Sequence, residues 1–577
     1  MFRNFLVVLV GVLMSTTAWA SGGSCDTLPG VGIGDLSLLW IIPFAGLLLS
    51  IAIVPMVAGH WWHHNKNQLL VAVGWASPVF VYLAYLGFTD SGKLGCQSLM
   101  GLQHSVIEYV SFIALLASLF IISGGILLKG DLQGKPHINL AFLAIGAVLA
   151  NVIGTTGASM LLIQPLLRTN SERQHTWHIP IFFIFIVSNI GGALTPIGDP
   201  PLFLGYLRGI DFWWTLANLW WIWWPTVVLL LAMFWVLDTV LYRREDKAHR
   251  RDDIEHVEPL GVEGSINFLL LAGVIAAVLL LSPVNHKPSD GEDHSSLIPT
   301  ELSLDSLGST AAHAAEPDAH DVDAHAVADS APATAEPEST AADHGNSEHN
   351  QHATTHERDA NHAEAKPWST DPRDYFLREI AMALLAGISL WLTSRRIRER
   401  NNFEFGPILE VAALFIGIFV AMIPATFMLQ QHGGSLGITE PWQYFWATGG
   451  LSAFLDNAPT YVTFASVACG VDPTCISASD LSPLSVGESV PVLMAISLGA
   501  VFMGAGSYIG NGPNFMVRAI AEAYTMERRS VGEDGQEIVE IIKPYTMPSF
   551  FAYCGYAALF LGPVFILVSI VGLWLMI

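Results

Sequence analysis

The stretch VSNIGGALTPIGDPP, Val187 to Pro201, is the one on which the reading of the fold turns. It lies inside a long apolar run, yet it holds Ser188, Asn189, Thr195, the carboxylate of Asp199, three glycines and three prolines. Glycine and proline loosen a helical ladder, and the freed backbone groups need partners where water is absent. Three other segments share this character: LANVIGTTGAS (Leu149–Ser159), SAFLDNAPTYVTF (Ser452–Phe464) and GAGSYIGNGPN (Gly504–Asn514). A packing kink needs a proline, not a polar cluster recurring twice in each half. The spacing predicts a secondary transporter of two inverted repeats, with its site where interrupted helices meet near mid-membrane.

Composition agrees. The chain is 52% hydrophobic and 13% charged, where soluble domains carry about a quarter charged residues. Apolar runs long enough to cross a bilayer recur along it, so an all-α polytopic membrane protein is expected, with the lipid bilayer as its surroundings. No basic patch with interleaved aromatics suggests nucleic-acid binding. No HExxH, GxSxG or CxxC motif suggests an enzyme, and no cofactor is expected.

The charges and the first residues set the orientation. Arg3, the apolar run Phe5–Met14 and Ala18-Trp19-Ala20 read as a signal peptide over residues 1–20. The mature N-terminus is then periplasmic, in a bacterial inner membrane. The positive-inside rule places Lys129, Lys135, Arg168, Arg173 and the segment LYRREDKAHRRDD (Leu241–Asp253) in the cytoplasm. Keeping Lys135 and Arg168 on one side requires a re-entrant hairpin at about 138–167. A second hairpin is required at about 442–468. The first repeat covers 34–240, a basic cytoplasmic linker 241–265, and the second repeat 266–577. About ten full transmembrane helices accompany the two hairpins, with broken helices at mid-membrane. The third helix is expected at Val106–Leu128, and Arg518–Lys543 reads as a charged cytoplasmic segment. Cys25 can pair with Cys96, and Cys469 with Cys475, in external segments; Cys554 reads as an inert apolar residue.

Residues 283–370 are a different material, an acidic, His-rich external insert. Ten histidines, seventeen acids and three Lys or Arg fall between Pro283 and Pro367. Such a segment buries no core and is expected to be disordered. His320, His325, His344, His349, His352 and His356 are weak candidates for metal binding. They lack a fixed ligand spacing, and a solvated insert is the simpler reading.

The broken segments supply hard oxygen donors suited to a small cation. The first hairpin offers Asn151, Thr155, Thr156 and Ser159; the helix after it offers Ser188, Asn189, Thr195 and Asp199. The second hairpin offers Asp456, Asn457 and Thr460, and its following helix Ser507, Asn511 and Asn514. A carboxylate inside the bilayer is costly and usually functional. Asp199 and Asp456 stand only approximately at corresponding places. No Lys or Arg lies in any of the four segments, which favours a cation over an anion. A buried carboxylate can hold a proton or a cation in turn, so sodium or lithium exchanged for protons is the expected transport. Glu108 and Glu410 are candidates for a proton path, although placement near a helix N-terminus accounts for Glu108 as well. His104, His63 and His64 read as interfacial residues.

NIGGALTPIGDPPLFLGYLRG (Asn189–Gly209), with FLDNAPTYVTF (Phe454–Phe464) and GNGPN (Gly510–Asn514), resembles the sodium/proton antiporters of the NhaD type. It also resembles the citrate-transporter-like branch of the wider ion transporter superfamily, which includes arsenite pumps and sodium-coupled dicarboxylate carriers. The likeness covers Leu38–Ile577 apart from the His-rich insert. It implies an inverted-repeat carrier, commonly a homodimer, that moves a transport domain against a scaffold. It places Asn151, Asn189, Asp199, Asp456, Asn457 and Asn511 in the segments that bind ion or substrate. The Ser-Asn-Thr motifs of the dicarboxylate carriers are here only Ser188-Asn189-Ile190 and Asp456-Asn457-Ala458, which weakens that branch. A citrate or dicarboxylate carrier is the alternative, with oxyanion (arsenite) export behind it.

Overall fold

The computed structural model describes residue 25 and residues 30–62, 64–245, 258–281, 372–401, 403–531 and 537–573. The signal peptide, residues 246–257 of the basic linker, His63 and the His-rich insert with its six candidate histidines lie outside the described residues. What is described is helical, as the composition requires. Eight helices among the described residues are long and apolar enough to cross a membrane, with shorter apolar helices at His178–Leu194 and Ile266–Leu280.

The first half runs α1 (Ile42–Val57), α2 (Asn65–Thr89), α3 (Lys93–Ser123) and α4 (Pro136–Thr169). It continues with α5 (His178–Ile186), a 3-10 turn (Ile190–Leu194), α6 (Pro200–Leu207) and α7 (Trp214–Arg244). The second half runs α8 (Ile266–Leu280), α9 (Pro372–Leu392), α10 (Gly406–His432), α11 (Pro441–Ser452) and α12 (Asn457–Val471). It ends with α13 (Val490–Met503), a 3-10 turn (Gly504–Gly506), α14 (Gly512–Ala523) and α15 (Phe550–Leu567). Apart from the short helices Gly59–Trp62 and Arg395–Arg400, the order of helices is the same in both halves: three helices, a broken pair, a helix–turn–helix and a last helix.

The breaks fall where the sequence loses its helical logic. In α4 the helical dihedrals fail at Gly154, which has φ 77° and ψ 156°. A side chain there would be strained, so glycine is what permits the turn. Beyond it the chain folds back, and Asn139 near the start of α4 exchanges amide hydrogen bonds of 2.8 and 2.7 Å with Asn170 just past its end. In the second half α11 stops at Ser452, and Asp456 opens α12 by accepting from the Ala458 N–H at 3.0 Å. The end of α12 lies against the end of α10, where a side chain at Gly433 would meet the Val467 carbonyl.

One expectation needs correction. The third helix is not Val106–Leu128 but Lys93–Ser123, and Leu127–Asp131 is a strand, β1. The polar start of α3, KLGCQS, escapes a hydropathy reading because one face of it packs inside the protein. Glu108 therefore lies four turns into its helix, and a helix N-terminus does not explain it. The Arg518–Lys543 segment, read from sequence as charged, has regular structure. It begins in α14 and carries the hairpin β3 (Met526–Val531) and β4 (Glu537–Ile542), while β1 pairs antiparallel with β2 (Glu258–Glu263). Both predicted disulfides, Cys25–Cys96 and Cys469–Cys475, are present, and Cys554 is free and half-buried.

Candidate functional site

All four broken segments meet at Asp199. Its side chain is 1% exposed and lies at the N-cap of α6. Asp199 Oδ1 accepts from Thr155 Oγ1 at 2.8 Å and from Asn511 Nδ2 at 2.9 Å. Asp199 Oδ2 accepts from Asn457 Nδ2 at 2.6 Å. Thr155 belongs to the break in α4, Asn457 opens α12 and Asn511 caps α14. No Lys or Arg among the described residues pairs with Asp199, so amides and a hydroxyl alone compensate it. Asp456, half-buried and the N-cap residue next to Asn457, adds a second carboxyl at the edge of the cluster.

Around this centre a second set of contacts holds the two helix–turn–helix segments together. Asn189 Nδ2 donates to Asn514 Oδ1 at 2.7 Å, and Asn511 Nδ2 also reaches the Ser188 carbonyl at 3.0 Å. Asn514 Nδ2 donates to the carbonyls of Gly504 and Ser507, each at 2.9 Å. Ser159 and Ser188 share a hydroxyl contact of 2.8 Å. The Asn457 Oδ1 atom is buried beside the cluster and has no donor among the described residues.

The counterpart of Asp199 is Asn511 rather than Asp456. Gly192 and Gly198 precede Asp199 with the same spacing that Gly504 and Gly510 keep before Asn511. Both residues are extended N-caps followed by proline in the first helical turn. The glycines are needed because the backbone doubles back tightly: a side chain at Gly198 would collide with the Gly192 carbonyl, and one at Gly510 with that of Gly504. The site is thus built from one repeated turn, carrying a carboxylate in one copy and an amide in the other.

The other candidates divide by role. Asn151 does not face Asp199 but staples the 3-10 turn: its Nδ2 donates to the Gly191 carbonyl at 2.6 Å and its Oδ1 accepts from the Leu194 N–H at 2.8 Å. Thr195 Oγ1 donates to the Asn151 carbonyl at 2.6 Å and accepts from the Gly198 N–H at 3.1 Å. Thr460 donates to the Asp456 carbonyl, and Ser507 Oγ accepts from the Ile509 N–H. Thr156 takes no part in these hydrogen bonds, although it neighbours Thr155.

Glu108 and Glu410 lie outside the cluster. Glu108 is buried and bound by both arms of the Arg208 guanidinium, at 2.6 and 3.0 Å. Arg208 itself caps α6 and donates to the Ala478 carbonyl at 3.0 Å. Glu410 accepts from Gln68 Nε2 at 2.7 Å.

A buried charged group was missed in the sequence. Asp238 in α7 is fully buried and meets Arg173 Nη2 at 2.7 Å, His178 Nε2 at 2.9 Å and Asn139 Nδ2 at 3.0 Å. An acid in the apolar run WVLDTVL was a visible signal. Its partners, sixty residues away and more, were not.

The family model described as "Putative citrate transport" matches residues 33–304 and 369–573 of this chain. No curated protein matches it.

Proposed function

The chain belongs to that citrate-transport family, and from this premise we propose that it is a secondary transporter whose coupling cation binds at Asp199. The cation is sodium or lithium, and it exchanges for protons across the bacterial inner membrane. The observation that carries this reading is the meeting of all four broken segments on one buried carboxylate without a basic partner. A proton or a small cation neutralises Asp199 equally well, so binding one displaces the other. Asn457 Oδ1 offers a further oxygen to the cation. The repeats have opposite orientation in this reading, the hairpins are re-entrant, the mature N-terminus and the insert are periplasmic, and the carrier works as a homodimer.

The family's description favours a second reading, in which citrate or a dicarboxylate is the cargo and the cation at Asp199 drives it. Helix N-termini such as those of α6 and α14 can hold a carboxylate without Arg or Lys. Purified protein in liposomes containing a pH-sensitive dye separates the two. Pulses of sodium or lithium alone should move protons in wild type and not in Asp199→Asn. A signal that requires citrate makes the protein an anion carrier. Wild-type exchange in Asp199→Asn removes Asp199 from the mechanism.

A further inference from the structure

We infer that Glu410 and Gln68 form a proton-binding pair, separate from the Asp199 cluster, in which a protonated Glu410 carboxyl and the Gln68 amide exchange two hydrogen bonds. Gln68 stands near the start of α2 and is 1% exposed; Glu410 stands near the start of α10, and the two helices pack along their length. Gln68 Nε2 lies 2.7 Å from Glu410 Oε1. The other end of the same amide, Gln68 Oε1, is buried and has no donor among the described residues.

Hydrogen-bond accounting decides the protonation state. An ionised carboxylate only accepts, so it can satisfy the Gln68 N–H but leaves Oε1 unmatched. Reversing the amide does not help, because the shape of a glutamine does not distinguish its oxygen from its nitrogen. The reversed amide would set two acceptors 2.7 Å apart. A carboxylic acid removes the mismatch in the proposed pair: one oxygen accepts from Nε2, and the other donates its O–H to Oε1. A buried acceptor facing a carboxyl is what the protonated form provides for.

The surroundings agree. α10 packs against α1, α2, α3 and α12. Among the described residues Glu410 is in no ion pair, and its one hydrogen-bond partner is Gln68. The nearby polar groups are already engaged: Tyr109 of α3 donates to the Ala412 carbonyl at 2.9 Å, and Asn65 of α2 to that of Gly406. Glu410 thus differs from Glu108, whose charge Arg208 matches.

Infrared difference spectroscopy of the full chain tests this directly. At neutral pH, wild type minus Glu410→Gln should show the carbonyl band of a single protonated carboxyl, shifted in deuterated water. Raising the pH should convert it to carboxylate bands. The same band should persist in Asp199→Asn, which separates this pair from the transport site. Gln68→Leu removes the amide partner and should shift the band to that of a weakly hydrogen-bonded acid; this second variant decides the matter should Glu410→Gln fail to fold. Carboxylate bands at neutral pH in the first difference, or an unmoved acid band in Gln68→Leu, would overturn the assignment.

Discussion

Two buried carboxylates, Asp199 and Glu108, show how differently the same group is held. Asp199 has three neutral donors and no cation; Glu108 has a bidentate guanidinium. In the proposed exchange, the neutral donors let Asp199 take a proton or a metal ion, whereas Glu108 already has its counter-ion in Arg208. Glu108 and Arg208 therefore serve to hold the end of α6 to α3, and the cost of breaking them should follow the rule for buried pairs. Arg208→Met should lose about 3–5 kcal/mol of stability because the Glu108 charge is left uncompensated. Glu108→Leu combined with Arg208→Met should recover most of it. Reversible unfolding in mixed micelles measures both, and equal losses in the single and double variants would refute the pairing argument.

At the scale of elements, the site is held by short connections between helices that individually have little helix left in them. α5 and α6 have only 9 and 8 residues, too few to be stable alone. Asn151 and Thr195 fix the turn between them. In the second half Asp472 plays a comparable part, linking the end of α12 to the start of α13. It accepts from the Ser489 hydroxyl and, at 2.8 and 2.6 Å, from the N–H and hydroxyl of Thr474. Burial pushes its carboxyl up, but these hydrogen bonds outweigh burial and hold it below the usual carboxylate range. A carboxyl lowered on folding stabilises above its unfolded value of about 4 and loses that stabilisation as pH falls through the folded value. Amide exchange in residues 472–489 should therefore speed up as pH drops below about 4, after correction for intrinsic exchange. Asp472→Asn should abolish that acid-dependent step.

For the whole molecule, the family match runs up to residue 304 and resumes at 369. The match thus leaves out residues 305–368, the greater part of the His-rich insert. Deleting residues 305–368 should leave cation or citrate transport in liposomes within about two-fold of wild type at neutral pH. A loss above ten-fold, with the protein still monodisperse, would make the insert part of the transport machinery.

The sequence by itself determined the class of protein and the location of the breaks. Apolar length, glycine and proline act locally, so Gly154, Asp456 and the two helix–turn–helix segments were legible without coordinates. The positive-inside rule asked for a hairpin at about 138–167; the structure shows the two ends of α4 meeting through Asn139 and Asn170. Only the tertiary structure decided which polar residues share a site. It brought Asn511 and Asn457 onto Asp199, turned Asn151 toward the backbone, and paired Glu108 with Arg208 a hundred residues away. The reason is physical: a helix break is written in neighbouring residues, but a buried charge is matched by whichever donor the packing brings within three ångströms, and periodicity carries no record of that partner.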